Sequence, residues 1–137
     1  QLPEVFGLRQ AWKTRPAPEW VHVATDLKTR ASPGDTLFTW NGPPALYLAT
    51  GLRNGNRFLH SGLALMPDQK QQMLRSLEAS LPRFIVDDTP APEHHAALDP
   101  IYRRFFELLG RHYRLMTRER RFSLYERVSA NGAGSTR

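Results

Sequence analysis

Asp87 and Asp88 are adjacent, and His94 and His95 follow within one short segment. Two carboxylates and two imidazoles are the residue types that bind a divalent metal. Their spacing matches no specific metal motif. Successive side chains of an extended segment point to opposite sides, so the two carboxylates need not converge. The simpler expectation is a loop solvated by polar side chains, with Asp88 or Thr89 capping a turn. Neither a metal nor a cofactor is expected from this cluster.

Three other groupings have chemical potential. His60-Ser61 supplies two members of a Ser–His–Asp set, but the chain contains no G-x-S-x-G elbow to expose the serine. Trp40-Asn41-Gly42-Pro43-Pro44 leads into an apolar segment, and a helix N-terminus there would attract an anion. Its two prolines remove two N–H donors, and neither GxGxxG nor GKS/T is present, so a rigid turn is expected. The third grouping is basic: Arg103, Arg104, Arg111, Arg114, Arg118, Arg120 and Arg121, interleaved with aromatics. Basic and aromatic residues together are a nucleic-acid signature. Here the helical aromatics fall on one apolar stripe and fill the core, leaving the arginines a solvated basic face. Anionic lipid headgroups are the expected alternative partner, and no nucleic acid is expected.

The whole chain limits these readings. It has 137 residues, one domain's length, and no cysteine, which excludes disulfides, thiol nucleophiles and cysteine zinc sites. Nineteen basic and 13 acidic groups give +6. Residues 1–31 carry +2, residues 32–100 carry −2 and residues 101–137 carry +6, so the basic character is local. No run approaches the roughly 18 apolar residues of a membrane span. The chain begins at Gln1 rather than methionine, and the expectation is a piece of a longer protein.

Residues 1–16 read as a linker anchored by Val5, Phe6, Leu8 and Trp12. Pro18 then opens a helix in which Trp20, Val21, Ala24, Leu27 and Ala31 recur at helical spacing. Thr36–Trp40 is a strand candidate, Ala45–Thr50 a short helix ended by Gly51, and Arg57–His60 a second strand. Pro67 opens a helix striped by Met73, Leu74, Leu77 and Leu81, and Pro82 stops it. Arg83–Asp87 is a third strand, apolar in the middle as a strand covered on both faces should be. Residues 88–97 read as a connection. Asp99-Pro100 then starts a helix with a stripe of Ile101, Tyr102, Phe105, Phe106, Leu109 and Tyr113. Tyr113–Thr117 and Arg121–Val128 read as a hairpin, and 129–137 as a flexible tail. This alternation predicts an α/β domain over residues 17–128: small, three-layered and Rossmann-like. Its sheet is mostly parallel with Thr36–Trp40 central, and an antiparallel hairpin lies at one edge.

Several of these residues form a familiar series. Pro33-Gly34-Asp35, the strand ending in Trp40, Pro44 with Tyr47 three later, Thr50-Gly51, Arg57-Phe58, then Leu81-Pro82-Arg83-Phe84-Ile85-Val86-Asp87-Asp88 follow in order. The series resembles the soluble C-terminal domain after the last transmembrane helix of bacterial GT-C type glycosyltransferases. These enzymes are akin to dolichyl-phosphate-mannose protein mannosyltransferases and lipid A aminoarabinose transferases. The closing helix and hairpin, with Tyr113, Phe122 and Tyr125, are also similar. The doubled proline at 43–44 departs from the pattern.

In that family the catalytic acid lies in a loop among the membrane helices, so the resemblance implies no catalytic residue in this chain. It implies an extracytoplasmic domain on the periplasmic side of the bacterial inner membrane. The domain would pack on the transmembrane part of the same polypeptide or help to bind a glycan acceptor, with 1–16 as the juxtamembrane linker. Trp40, Asn41, Tyr47, Arg57, His60, Asp87 and Asp88 are the candidate contact residues. The alternatives are a stand-alone metal-dependent enzyme and a basic module for anionic lipid or nucleic acid.

Overall fold

A computed structural model describes residues 18–56 and 66–128. Among them lie five helices and five strands. The helices are α1 (Glu19–Arg30), α2 (Ala45–Thr50), α3 (Pro67–Ser80), α4 (Pro92–Leu98) and α5 (Pro100–His112); the strands are β1 (Thr36–Trp40), β2 (Arg53–Asn54), β3 (Phe84–Asp88), β4 (Tyr113–Glu119) and β5 (Phe122–Arg127). The expected linker 1–16, the strand at 57–60 and the tail 129–137 lie outside the described residues.

Local chemistry explains most boundaries. α1 carries Glu19 in its first turn and Lys28 and Arg30 in its last, matching the helix dipole. Ser32–Asp35 then turns the chain, with Gly34 at φ 90° and the Asp35 carboxylate accepting from the Ser32 amide at 2.7 Å. Gly51 ends α2 in the left-handed region, where glycine has no Cβ to clash. Gln69 caps α3 by accepting from the Met66 amide at 3.0 Å. Asp99 caps α5, its Oδ1 accepting from the amides of Ile101 and Tyr102.

The sheet order is β2-β1-β3-β5-β4. β2, β1 and β3 run parallel, and β5 is antiparallel to both β3 and β4. β1 is therefore central to the parallel trio, as expected, and the hairpin forms one edge. Two elements differ from expectation. The strand beside β1 is Arg53–Asn54, residues with turn chemistry rather than β propensity. Their strand character comes from register alone, Arg53 opposite Thr36 and Asn54 opposite Leu37. Residues 92–98, read as connection, form α4: Pro92 occupies a first-turn position and is buried together with Ala96. Two helical turns with no extended apolar stripe give too little periodicity to detect.

Strand alternation divides the interior in two. Phe38, Trp40, Ile85 and Tyr125 meet α3, α4 and α5 through Leu74, Leu77, Tyr102 and Phe105. Leu37, Phe84, Val86 and Leu124 meet α1 and α2 through Val23, Leu27 and Leu46. The molecule is thus layered helix–sheet–helix. In α1 the buried set is Val23, Ala24 and Leu27, whereas Trp20, Val21 and Ala31 are half-buried.

Arg83 locks the amino-terminal edge of the sheet. Its Nη1 is 3.2 Å from Asp35 Oδ2, its Nη2 2.5 Å from Glu126 Oε2, and its Nε donates to the same oxygen at 3.0 Å. Its amide donates to Thr36 Oγ1 at 3.2 Å, and its carbonyl accepts from the Arg127 amide at 2.9 Å. One residue thereby joins the starts of β1 and β3 to the end of β5. Replacing Arg83 by Met should cost about 2 kcal/mol, because the partly buried charges of Asp35 and Glu126 lose the guanidinium that compensates them. In urea unfolding, Arg83→Met and Glu126→Gln together should cost about 1 kcal/mol less than their sum. Strict additivity would show that the clamp is not a unit.

Candidate functional site

In an open α/β sheet, ligands collect at the carboxyl ends of parallel strands. Here Trp40 and Asp87 are paired in register near the ends of β1 and β3. Alternation sends both toward α4 and α5. The Trp40 ring stacks on Phe105, centroids 4.2 Å apart, and meets Tyr102 edge-on at 5.8 Å. Asp87 is fully buried. Thr89 Oγ1 donates to Asp87 Oδ1 at 2.5 Å, and the Tyr102 hydroxyl donates to Oδ2. His95 stands edge-on to the Tyr102 ring at 4.7 Å, and its Nε2 lies 3.6 Å from Asp99 Oδ2. A polar chain therefore runs from the β3 end through Tyr102 to the cap of α5.

Both strand-to-helix turns at this edge use left-handed backbone on residues other than glycine: Asn41 at φ 58° and Ala91 at φ 46°. Asparagine tolerates this region, while alanine costs about 1–2 kcal/mol there. Gly42 fits for a different reason. A Cβ at this buried position would lie 3.1 Å from that of Thr39.

Burial pushes the Asp87 carboxyl from its ordinary 3.8 up to about 6. The two hydroxyl donors oppose this, Asp88 adds to it, and His95 opposes it weakly. Burial, then the neighbouring Asp87, pushes the Tyr102 phenol far up, so it remains a donor. The arrangement ties β3 to α5, with a proton on Asp87 only below about pH 6. Asp87 itself offers a solute no exposed carboxylate atom.

The other candidate residues separate. Asp88 points to the opposite face and accepts from Arg121 Nε. His94 is exposed. Asp87 and Asp88 do not converge, and among the described residues no group of three His, Cys, Asp or Glu side chains gathers. Tyr47 packs against the α1–α2 core, its phenol pushed up to about 12 by burial with Thr39 opposing. Asn41 is exposed in its turn. Arg57 and His60 lie outside the described residues.

The arginines are spread over several partners. Arg103 caps α4, donating to the carbonyls of Ala96 at 2.9 Å and Ala97 at 3.0 Å. Arg104 and Arg111 share Glu78 at 3.9 and 3.8 Å. Arg118 donates to Ser123 Oγ, and Arg120 lies 3.5 Å from Glu19. Arg114 is exposed. Sequence reading did not anticipate Tyr102 and Thr89 as partners of Asp87. The available signal was the buried phenol itself, since a tyrosine on an apolar stripe needs an acceptor for its hydroxyl.

Because the folded state raises the Asp87 pKa, folding favours the protonated carboxyl. That stabilisation is whole below about pH 4 and is lost as pH rises through about 6. A rise from 3.8 to about 6 corresponds to about 3 kcal/mol. The stability of wild type minus that of Asp87→Asn should therefore fall by about this much between about pH 4 and 7 in denaturant titrations. A difference independent of pH would place the proton elsewhere.

Compared with family models, curated proteins and solved structures, the chain matches none. The reading of its site therefore rests on its own geometry.

Proposed function

We propose that this chain is a non-catalytic extracytoplasmic domain of a bacterial membrane-embedded glycosyltransferase that uses a lipid-linked sugar. In this reading it stands on the periplasmic side of the inner membrane. It packs on the transmembrane part of its own polypeptide and helps to present the acceptor. The Rossmann-like ancestry of its parallel strands belongs to the same reading.

One observation carries the proposal: the carboxyl-edge acids have internal partners. Asp87 takes the hydroxyls of Thr89 and Tyr102, Asp88 takes Arg121, and Asp99 takes the first amides of α5. A hydrolytic or metal-dependent enzyme keeps such groups open toward substrate. A scaffold uses them to join elements. The residues of the resemblance series do the same kind of work. Asp35 receives Arg83, Trp40 stacks on Phe105, and Gly51 ends α2.

The purified 137-residue chain should release no sugar from a polyprenyl-phosphate-linked donor and glycosylate no acceptor, as read by radiolabel transfer. Turnover by this chain alone would overturn the proposal. So would a full-length protein whose hydrophobic segments transfer sugar at the full rate after the domain is deleted.

A further inference from the structure

The two edges of the sheet differ. β2 at one edge is two residues long, whereas β4 at the other spans Tyr113–Glu119. Among the described residues no strand lies beyond β4. Such an edge presents unpaired amides and carbonyls and is a template for another chain. The ladder fixes which groups face outward. The Arg127 amide donates to the Arg83 carbonyl, so Arg127 turns its backbone toward β3, and by alternation so do Tyr125 and Ser123. Their partners on β4 are Tyr113, Leu115 and Arg118, whose own amides and carbonyls therefore turn away from β5.

This edge is basic. The β4–β5 hairpin carries five arginines against two glutamates, while α1 beside it balances at two against two. Glu126 is taken by Arg83. Arg114 is exposed across from that engaged carboxylate. Arg118 donates to the neutral Ser123 hydroxyl, and Arg120 is 80 % exposed and 3.5 Å from Glu19. Arg121 is held by Asp88. Glu119, the other acid of the hairpin, stands at the far end of β4 beside Arg120.

Met116 is the extra residue of a bulge between Leu115 and Thr117. Bulges and edge charges protect a strand against indiscriminate pairing. A second copy of β4 would add its arginines to these, so charge disfavours self-pairing. The same charges admit a strand that carries carboxylates. Arg114 and Thr117 face the α1 side, and Leu115 and Arg118 the α5 side. Along β5, the residues opposite Arg114 and Arg118 are Glu126 and Ser123, three positions apart. A strand following the same path on the outer side meets both arginines with carboxylates three positions apart. An apolar residue between them covers the exposed Leu115. Beside the edge, α1 and β4 bound an open groove of about 400 Å³, lined by His22, Asp26, Thr29, Thr117 and Glu119, where a polar side chain fits. Duplex nucleic acid would use the arginines and leave the outward backbone groups without partners.

We propose that the outer edge of β4 binds an extended acidic peptide segment by strand addition, with backbone hydrogen bonds to Tyr113, Leu115 and Arg118 and carboxylates on Arg114 and Arg118. This interface goes beyond the transferase reading and does not depend on it.

The probe is a labelled peptide, Thr-Glu-Val-Val-Glu-Val-Thr, read by fluorescence anisotropy on the 137-residue chain. Laid antiparallel to β4, it sets its glutamates on Arg118 and Arg114 and turns its second, fourth and sixth amides toward the edge. Binding should weaken with salt, and the same peptide with lysine for glutamate should not bind. Arg114→Gln with Arg118→Gln should weaken it about tenfold, at the usual contribution of two exposed ion pairs. Leu115→Pro removes an outward amide but no bond to β5, so it should fold and lose binding. Leu115→Ser keeps that amide and should lose less. Arg75→Gln, on α3, should bind as wild type does. Unfolding midpoints check that each variant is folded. A further arm needs no variant: N-methylation of the second, fourth and sixth peptide amides should abolish binding, and N-methylation of the third and fifth should spare it. Equal binding of the acidic and lysine peptides, no binding of the acidic peptide at millimolar concentration, or equal loss from both methylated peptides would overturn the interface. Wild-type binding by a folded Leu115→Pro chain would do the same, as would Arg114-dependent binding to duplex DNA without peptide binding. None of these outcomes touches the transferase reading, which is decided by sugar transfer and domain deletion.

Discussion

β3 is covered on both faces, and that constraint organises the molecule. Phe84, Ile85, Val86 and Asp87 are all fully buried, so neither side of the strand can hold an unpaired polar group. Phe84 and Val86 anchor the core under α1 and α2, while Ile85 anchors the core under α3 to α5. Its two edges are occupied by β1 in parallel and β5 antiparallel. Asp87 is the one exception to an apolar strand, and its environment follows from that. Its carboxyl needs donors, and Thr89 just beyond the strand and Tyr102 in the first turn of α5 supply them. The position of α5 over the sheet is therefore tied to the Tyr102–Asp87 hydrogen bond as well as to hydrophobic contact.

The two ends of this strand are secured differently. At its start, Arg83 is partly exposed and works by charge, gathering Asp35 and Glu126 around one guanidinium. At its end, burial raises the carboxyl pKa and hydroxyl groups do the joining. At the carboxyl edge, where α/β proteins usually place ligands, Asp87 is sealed by its own neighbours Thr89 and Tyr102.

Much of this architecture was legible from residue types. The Asp99-Pro100 start is a cap followed by proline, and both act within one turn. The β3 segment is an apolar run between turn residues, and the α5 stripe repeats for three turns. Other features were not legible. β2 is two residues without β propensity, made a strand by lying along β1. α4 is too short for periodicity to build up. Asp87 and Asp88 look like a pair in sequence, but the pleat sends them to different partners, Tyr102 and Arg121. The seven arginines look like one basic segment, yet six of them meet acceptors on α1, α3, α4, β3 and the hairpin itself.

The sequence by itself determined the α/β class, the segments of β1 and β3, and the closing helix and hairpin. Those follow from local rules: capping, proline placement and hydrophobic period act over a few residues and need no knowledge of distant partners. The tertiary structure alone decided what each charged group does. Whether a carboxylate is open or sealed, and whether an arginine is free or engaged, depends on residues tens of positions away. Arg83 and Asp35 are 48 apart in sequence, and Arg121 and Asp88 are 33 apart. Burial and long-range pairing set the energy of a charge, and neither is written in its immediate neighbours.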